Sequence, residues 1–249
     1  MKIRWVGAVA ASILLAVAAA GCRTGKPGLR AETLRPSQVH DFATLYKQNC
    51  SACHGDKGLH GAALPLDNPV YLTWAGRDRI LTIVENGVPH RLMPAFGAGG
   101  GGLLTGEQVR DIVNGMMTQW TRPDILNGAS APGYAPASAG NAAQGNAAFQ
   151  VYCARCHGAD GRGGAGNPAS GSSKSAVGSI VDPTYLSLIS SQGLRDIVVS
   201  GMPGEGMPDW RGDVAGKAMS DQDVTNVVAW LTSQRMQFPG QSFPSSEKH

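Results

Sequence analysis

Apolar residues recur at helical spacing in several stretches of the chain. Val109, Ile112, Val113 and Met116 share one face of GEQVRDIVNGMMTQW, and Val224, Val227, Val228 and Leu231 share one face of DQDVTNVVAWLTSQR. Spacing of i, i+3, i+4 and i+7 is the mark of an amphipathic helix. Thr105 and Ser220 stand just before these stretches, where a hydroxyl caps the first free N–H groups. RDRILTIVENG and QGLRDIVVSG predict two further helices, each ending on a glycine. No stretch of useful length alternates with strand period. The fold class read from the pattern is all-α.

The first residues follow another rule. Lys2 and Arg4 precede an uncharged run of Ala, Val, Leu and Ile that ends in small residues at Gly21. A basic start, a short apolar run and a small-residue end define an export signal. Ala19-Ala20-Gly21-Cys22 resembles a bacterial lipobox, which implies cleavage before Cys22 and acylation of its thiol. The expectation is a lipoprotein-type signal over 1–21 and a tether over 22–36. The exported chain would then be membrane-anchored, facing the periplasm or the outer side of the cytoplasmic membrane. Ordinary cleavage near Ala20 is the alternative; it would leave a lone thiol in an oxidising compartment. No later stretch is long and apolar enough to span a membrane.

Beyond the signal, the chain is written twice. Cys50-Ser51-Ala52-Cys53-His54 recurs as Cys153-Ala154-Arg155-Cys156-His157, an offset of 103 residues. Tyr46 and Phe149 stand four residues before the first cysteine of each copy, and Pro65 and Pro168 stand eleven after each histidine. Further on the offset becomes 114: Pro69, Tyr71 and Leu72 match Pro183, Tyr185 and Leu186, and Gly87-Val88-Pro89 with Met93-Pro94 matches Gly201-Met202-Pro203 with Met207-Pro208. The change of offset marks an insertion of eleven residues near 169–181, rich in Gly and Ser as surface loops are. An internal repeat decides the architecture. It gives one domain over 37–122, a Pro/Ala/Gly/Ser-rich linker over 123–140, a second domain over 141–238 and a tail over 239–249.

C-x-x-C-H attaches haem c: two thiols three residues apart reach the porphyrin vinyl groups, and the adjacent histidine coordinates the iron. A thioredoxin-like pair needs no adjacent histidine, and a zinc site built from both pairs would need no matched loops downstream. Cys50, Cys53 and His54 are therefore predicted to hold one haem c, and Cys153, Cys156 and His157 a second. An electron-transfer haem needs a sixth ligand. Met93 lies 39 residues after His54 and Met207 lies 50 after His157, so the difference is the insertion itself. A thioether favours ferrous iron and raises the potential. Met202 competes in the second copy, but it aligns with Val88, an apolar wall position. His60 and His90 could make a bis-histidine site, but Met93 keeps the register. Met116, Met117, Met219 and Met236 read as packing residues.

On these motifs each half resembles a class I cytochrome c, and the whole resembles a tandem dihaem cytochrome. The resemblance implies three main helices around each covalently bound haem, with His/Met ligation. It also implies that a proline carbonyl accepts the histidine Nδ1–H, and Pro65 and Pro168 hold that place. One departure stands out: Gly115 occupies the position at which Trp230 supplies an aromatic ring, and Trp120 is expected to compensate from one turn later.

Composition then fits. Aromatics are only 6% of the chain, and a porphyrin supplies the large flat apolar body that Phe and Trp would otherwise provide. Net charge is +3, of which Lys2 and Arg4 leave with the signal, so no nucleic-acid surface is expected. Gly161–Gly166 matches G-x-G-x-x-G by letter but follows no strand and opens no helix. His40, His60, His90 and His249 sit at unmatched positions and read as surface residues. The function expected is a membrane-tethered dihaem carrier of single electrons, not an enzyme in its own right. The resemblance suggests redox partners: a quinol-oxidising complex, a periplasmic dehydrogenase or a terminal oxidase. The alternative is a haem enzyme, such as a dihaem peroxidase or a sulfur-compound dehydrogenase, which needs one open iron.

Overall fold

Ten α-helices and three short 3-10 turns, with no β-strand, make up the described part of the computed structural model, which covers residues 34–89, 91–164, 177–212 and 217–236. Cys22, His90, Pro168 and His249 lie outside the described residues. The residues up to Gln38 form a unit of their own, in which Pro36–Gln38 is a 3-10 turn. Everything from Val39 onward is one unit. None of the described helices is long and apolar enough to cross a membrane.

The first domain contains α1 (Phe42–Asn49), the one-turn α2 (Ser51–His54), α3 (Pro69–Ala75), α4 (Arg77–Asn86) and α5 (Gly106–Trp120). The second repeats the order with α6 (Ala142–Tyr152), α7 (Ala154–His157), α8 (Pro183–Leu188), α9 (Ser191–Ser200) and α10 (Asp221–Ser233). Caps follow the sequence. Thr105 and Ser220 each form a capping box, with Gln108 and Asp223 as the reciprocal partners. Asn68 and Asp182 cap α3 and α8, each just ahead of a proline in the first helical turn.

Two cores result. Leu45, Tyr46, Leu72, Ile80, Ile112 and Val113 centre the first; Phe149, Leu186, Val199, Trp210, Val224 and Val227 centre the second. Helix α3 is apolar on two sides because it serves both, with Thr73 left exposed. Tyr71 and Leu72 face their own core, whereas Val70 packs into the second domain's core and Trp74 touches both. The domains are further joined by His60 Nδ1 with Glu205 (2.8 Å) and by Arg91, which donates to the Ser187 carbonyl (3.0 Å).

The linker is held in place rather than free. Ile125, Leu126, Ala129 and Ala131 pack on the second core. Trp74 Nε1 donates to the Pro132 carbonyl, and the Tyr134 ring lies between Trp74 (5.0 Å) and the Arg79 guanidinium (3.9 Å). From the other side, the buried Arg195 donates to the Gly133 and Tyr134 carbonyls, to Thr225 and to Asp221. Small turn-forming residues that suggest looseness here serve close packing. The second-domain insertion falls mostly outside the described residues, and paired hydrogen bonds between Gly164 and Val177 (3.0 and 3.1 Å) pinch its base.

Candidate haem sites

The cysteine–histidine segment is built the same way twice. Helix α1 ends as the Cys50 N–H donates to the Tyr46 carbonyl (2.8 Å), and the chain turns again as Cys53 and His54 both donate to the Cys50 carbonyl (3.2 and 3.0 Å). Cys153 bonds to Phe149 (2.8 Å), and Cys156 and His157 bond to Cys153 (3.1 and 3.0 Å), in the same pattern. One helical turn thus presents two thiols and an imidazole. All four of these cysteines are free thiols: Cys50 is buried, Cys53 exposed, and Cys153 and Cys156 half-buried. Burial, reinforced by the neighbouring cysteine, pushes Cys50 and Cys153 up to about 12. Neither is the acidic thiolate of a disulfide oxidoreductase.

Burial lowers the pKa of both histidines, so each imidazole is neutral at pH 7. His54 Nδ1 donates to the Leu64 carbonyl at 2.7 Å. A carbonyl can only accept, so the proton sits on Nδ1 and Nε2 keeps its lone pair for a metal. Here the expectation is corrected: the acceptor is Leu64, one residue before Pro65. Proline restricts the residue ahead of it to extended backbone, and that sets the direction of the Leu64 carbonyl. His157 Nδ1 is buried with no hydrogen-bond partner among the described residues, and Pro168, the acceptor expected for it, lies outside them.

The methionine loops also share one construction. Helices α4 and α9 end on Gly87 and Gly201, with φ of +68° and +69°. A Cβ on Gly87 would lie 2.5 Å from Ala95 N and Pro94 C, and one on Gly201 would lie 2.6 Å from the Met207 oxygen. Only glycine permits both that φ and that approach. Val88 donates to the Met93 carbonyl (3.0 Å), and Met202 and Met207 exchange two backbone bonds (3.0 and 3.2 Å). Met202 therefore lies opposite Met207 in an isolated antiparallel bridge, as Val88 lies opposite Met93. Met93 packs on the same core as Cys50 and Tyr46, and Met207 is half-buried.

Two thiols on a turn, a neutral imidazole with free Nε2 and a soft thioether in a glycine-seated loop are the donor set of haem c. Among the described residues no cluster of three His, Cys, Asp or Glu side chains is placed to hold a bare metal ion. His60 is exposed and paired with Glu205, and His40 pairs with Asp111 (2.7 Å). The sequence carries no sign of the cross-domain and linker contacts of Asn68, Tyr134 and Arg195, because the acceptors there are backbone carbonyls far along the chain.

The family model described as cytochrome c oxidase, cbb3-type, subunit III matches residues 37–114 and 140–231. The chain is 29% identical over 139 residues to the cbb3-type cytochrome c oxidase subunit FixP of Sinorhizobium medicae (strain WSM419), covering 52% of this chain and 42% of that one. It is 29% identical over 127 residues to the cbb3-type cytochrome c oxidase subunit CcoP of Azospirillum sp. (strain B510), covering 46% and 38%. The matches thus span about four tenths of these curated relatives' length. A chain of the reducing HAO-like protein complex of Kuenenia stuttgartiensis is similar at 19% identity and a TM-score of 0.43, covering 82% of this chain and 100% of that one.

Proposed function

The chain belongs to the family of cytochrome c oxidase, cbb3-type, subunit III, and is an electron-transfer c-type cytochrome; we propose that it is a membrane-tethered dihaem carrier passing single electrons between respiratory partners as the cytochrome subunit of a larger complex. The observation that carries this reading is the duplicated methionine loop: each copy pairs a C-x-x-C-H turn with a Met-Pro segment seated on a positive-φ glycine. Haem c, when bound, supplies a one-electron ferric/ferrous couple.

The chain's own residues do the rest. Cys50 and Cys53, and Cys153 and Cys156, would bond the porphyrin. His54 and His157 would offer Nε2 to the iron, and Met93 and Met207 would offer sulfur. The Leu64 carbonyl fixes the ring and tautomer of His54. With Met93 and Met207 as ligands, the iron would keep no open site for a substrate, and the chain would not itself turn one over. The names of the similar oxidase subunits favour a terminal oxidase as acceptor, over a quinol-oxidising complex or a periplasmic dehydrogenase. Acylated Cys22 would supply the membrane tether, on the periplasmic or outer face.

Optical spectra of the oxidised and reduced protein, followed by titration with cyanide and CO, test the reading. Two low-spin haems that resist both ligands are expected. A high-spin haem that binds them readily would overturn it in favour of a haem enzyme such as a peroxidase or sulfur-compound dehydrogenase.

A further inference from the structure

Asn68 is fully buried and makes three hydrogen bonds, two of them into the other domain. Its Oδ1 accepts from Tyr71 N (3.1 Å) and caps α3. Its Nδ2 donates to the Ser200 carbonyl (3.2 Å) and to the Gly201 carbonyl (3.1 Å). These carbonyls close α9 and open the Met207 loop, where the last carbonyls of a helix lack intrahelical partners, although that of Gly201 also accepts from the Ser200 hydroxyl (3.3 Å). Gly201 is also the residue that seats the Met207–Pro208 backbone. We infer that Asn68 is a positioning residue for Met207: the first domain completes the methionine loop of the second, so ligation and potential of the second haem depend on the first domain being docked. The inference rests on Met207 being the axial ligand.

The repeat supplies an internal control. The matching cap in the second domain is Asp182, which is exposed and accepts from Tyr185 N at 2.8 Å. Aspartate and asparagine cap helices about equally well, but only asparagine carries N–H donors. Asparagine stands at the copy of this position where two carbonyls of the other domain need them. Val70, on the next turn, enters the second core and fixes the approach of α3.

Asn68→Asp in the full-length holoprotein, measured above pH 7 where the carboxyl ionises, keeps the cap and the size while removing both donors. A buried acceptor left unpaired shifts a local equilibrium by roughly tenfold or more. The variant should bind imidazole at one haem about tenfold more tightly. It should also weaken the methionine-to-ferric-iron absorption band and lower one of two potentials in a spectroelectrochemical titration. The affected wave should be the one that Met207→His moves, while the wave that Met93→His moves stays in place. Asp182→Asn should change neither. Asn68→Ser, a smaller cap unable to span to Ser200, should reproduce the effect and serves if the aspartate variant does not fold. Unchanged potentials and imidazole affinity in a folded Asn68 variant would overturn the inference. A wild-type protein with no methionine band fails earlier, at the ligand assignment, and overturns both readings.

Discussion

The two domains cross their first and last helices by opposite means. In the second, Gly145 of α6 lets the α10 backbone come close: a Cβ there would lie 1.9 Å from the Asn226 carbonyl oxygen and 2.8 Å from Trp230 Cβ. The Trp230 ring then stacks on Phe149 at 4.4 Å. In the first domain the small residue is on the other helix. Gly115 of α5 leaves room for Phe42 of α1, whose ring lies 2.2 Å from where a Cβ would sit. Phe42 matches Gly145 in the repeat, and Gly115 matches Trp230. Trp120, a turn after Gly115, stacks edge-on against Phe42 (5.5 Å) and Tyr46 (5.1 Å). Its ring tip lies over Gly58 just as the Trp230 tip lies over Gly161. The contact conserves its volume, and which helix supplies that volume is free to change.

The largest effect should come from closing the tighter crossing. Gly145→Ala meets backbone, which cannot rotate away, so it should destabilise the second domain by about 3–4 kcal/mol, at or above the usual cost of overpacking. Equilibrium denaturation measures it, and a loss under about 1 kcal/mol would show that the helices can part freely.

Next comes a difference at the domain interface. Thr82 and Asp196 occupy matching positions on α4 and α9, but Thr82 is exposed and Asp196 is buried facing the first domain. Burial raises Asp196 from 3.8 to about 6, against the opposing pull of Gln192, Arg195 and Arg79. Below about pH 4 the carboxyl is protonated in folded and unfolded chains alike, and no penalty exists. As pH rises through 4–6 the unfolded chain ionises first, so stability falls, and above about pH 6 the penalty is constant. Two pKa units correspond to about 3 kcal/mol at most. Asp196→Asn, which keeps an acceptor for Gln192, should therefore gain about 2 kcal/mol at pH 7 and nothing at pH 3.5. Parallel unfolding curves at the two pH values check this; an equal gain at both would remove burial of the charge as the cause.

The smallest effect belongs to the looser crossing. Gly115→Ala meets the half-buried Phe42 ring, which can turn, and its Cβ at 2.8 Å, which cannot, and should cost about 1–2 kcal/mol. Pairing it with Phe42→Leu should give back most of that loss, because the two sites share one volume. Strict additivity in the double-mutant cycle would break the size-exchange account.

Much of this was legible in the sequence. The amphipathic helices α4, α5, α9 and α10 announce themselves by spacing and caps, and the C-x-x-C-H turns are local, five residues each. Helix α6 was silent because AAQGNAAFQVY is small-residue rich, suited to close approach and poor in pattern. Helix α3 was silent because it is short and buried on two sides, with only Thr73 exposed, too little for an amphipathic period. Pro65 was one residue off: the proline is the signal, but the carbonyl it aims belongs to Leu64. Asn68 is legible as a cap ahead of Pro69, but its cross-domain role is not, since those acceptors lie 132 and 133 residues away and belong to backbone, which leaves no letter in the sequence. The linker's composition marks it as a linker but is silent on its contacts, and only the structure shows Arg195, Trp74 and Arg79 closing on it.

The exchanged glycines have one more effect, on pairing during folding. A chain carrying two copies of one fold risks matching the first helix of one copy with the last helix of the other. Here such a hybrid penalises itself. Helix α1 laid on α10 brings Phe42 against Trp230, two large rings for one space. Helix α6 laid on α5 sets Gly145 against Gly115 and leaves a gap. Each crossing fits its own partner and rejects its sibling, which is specificity by mismatch.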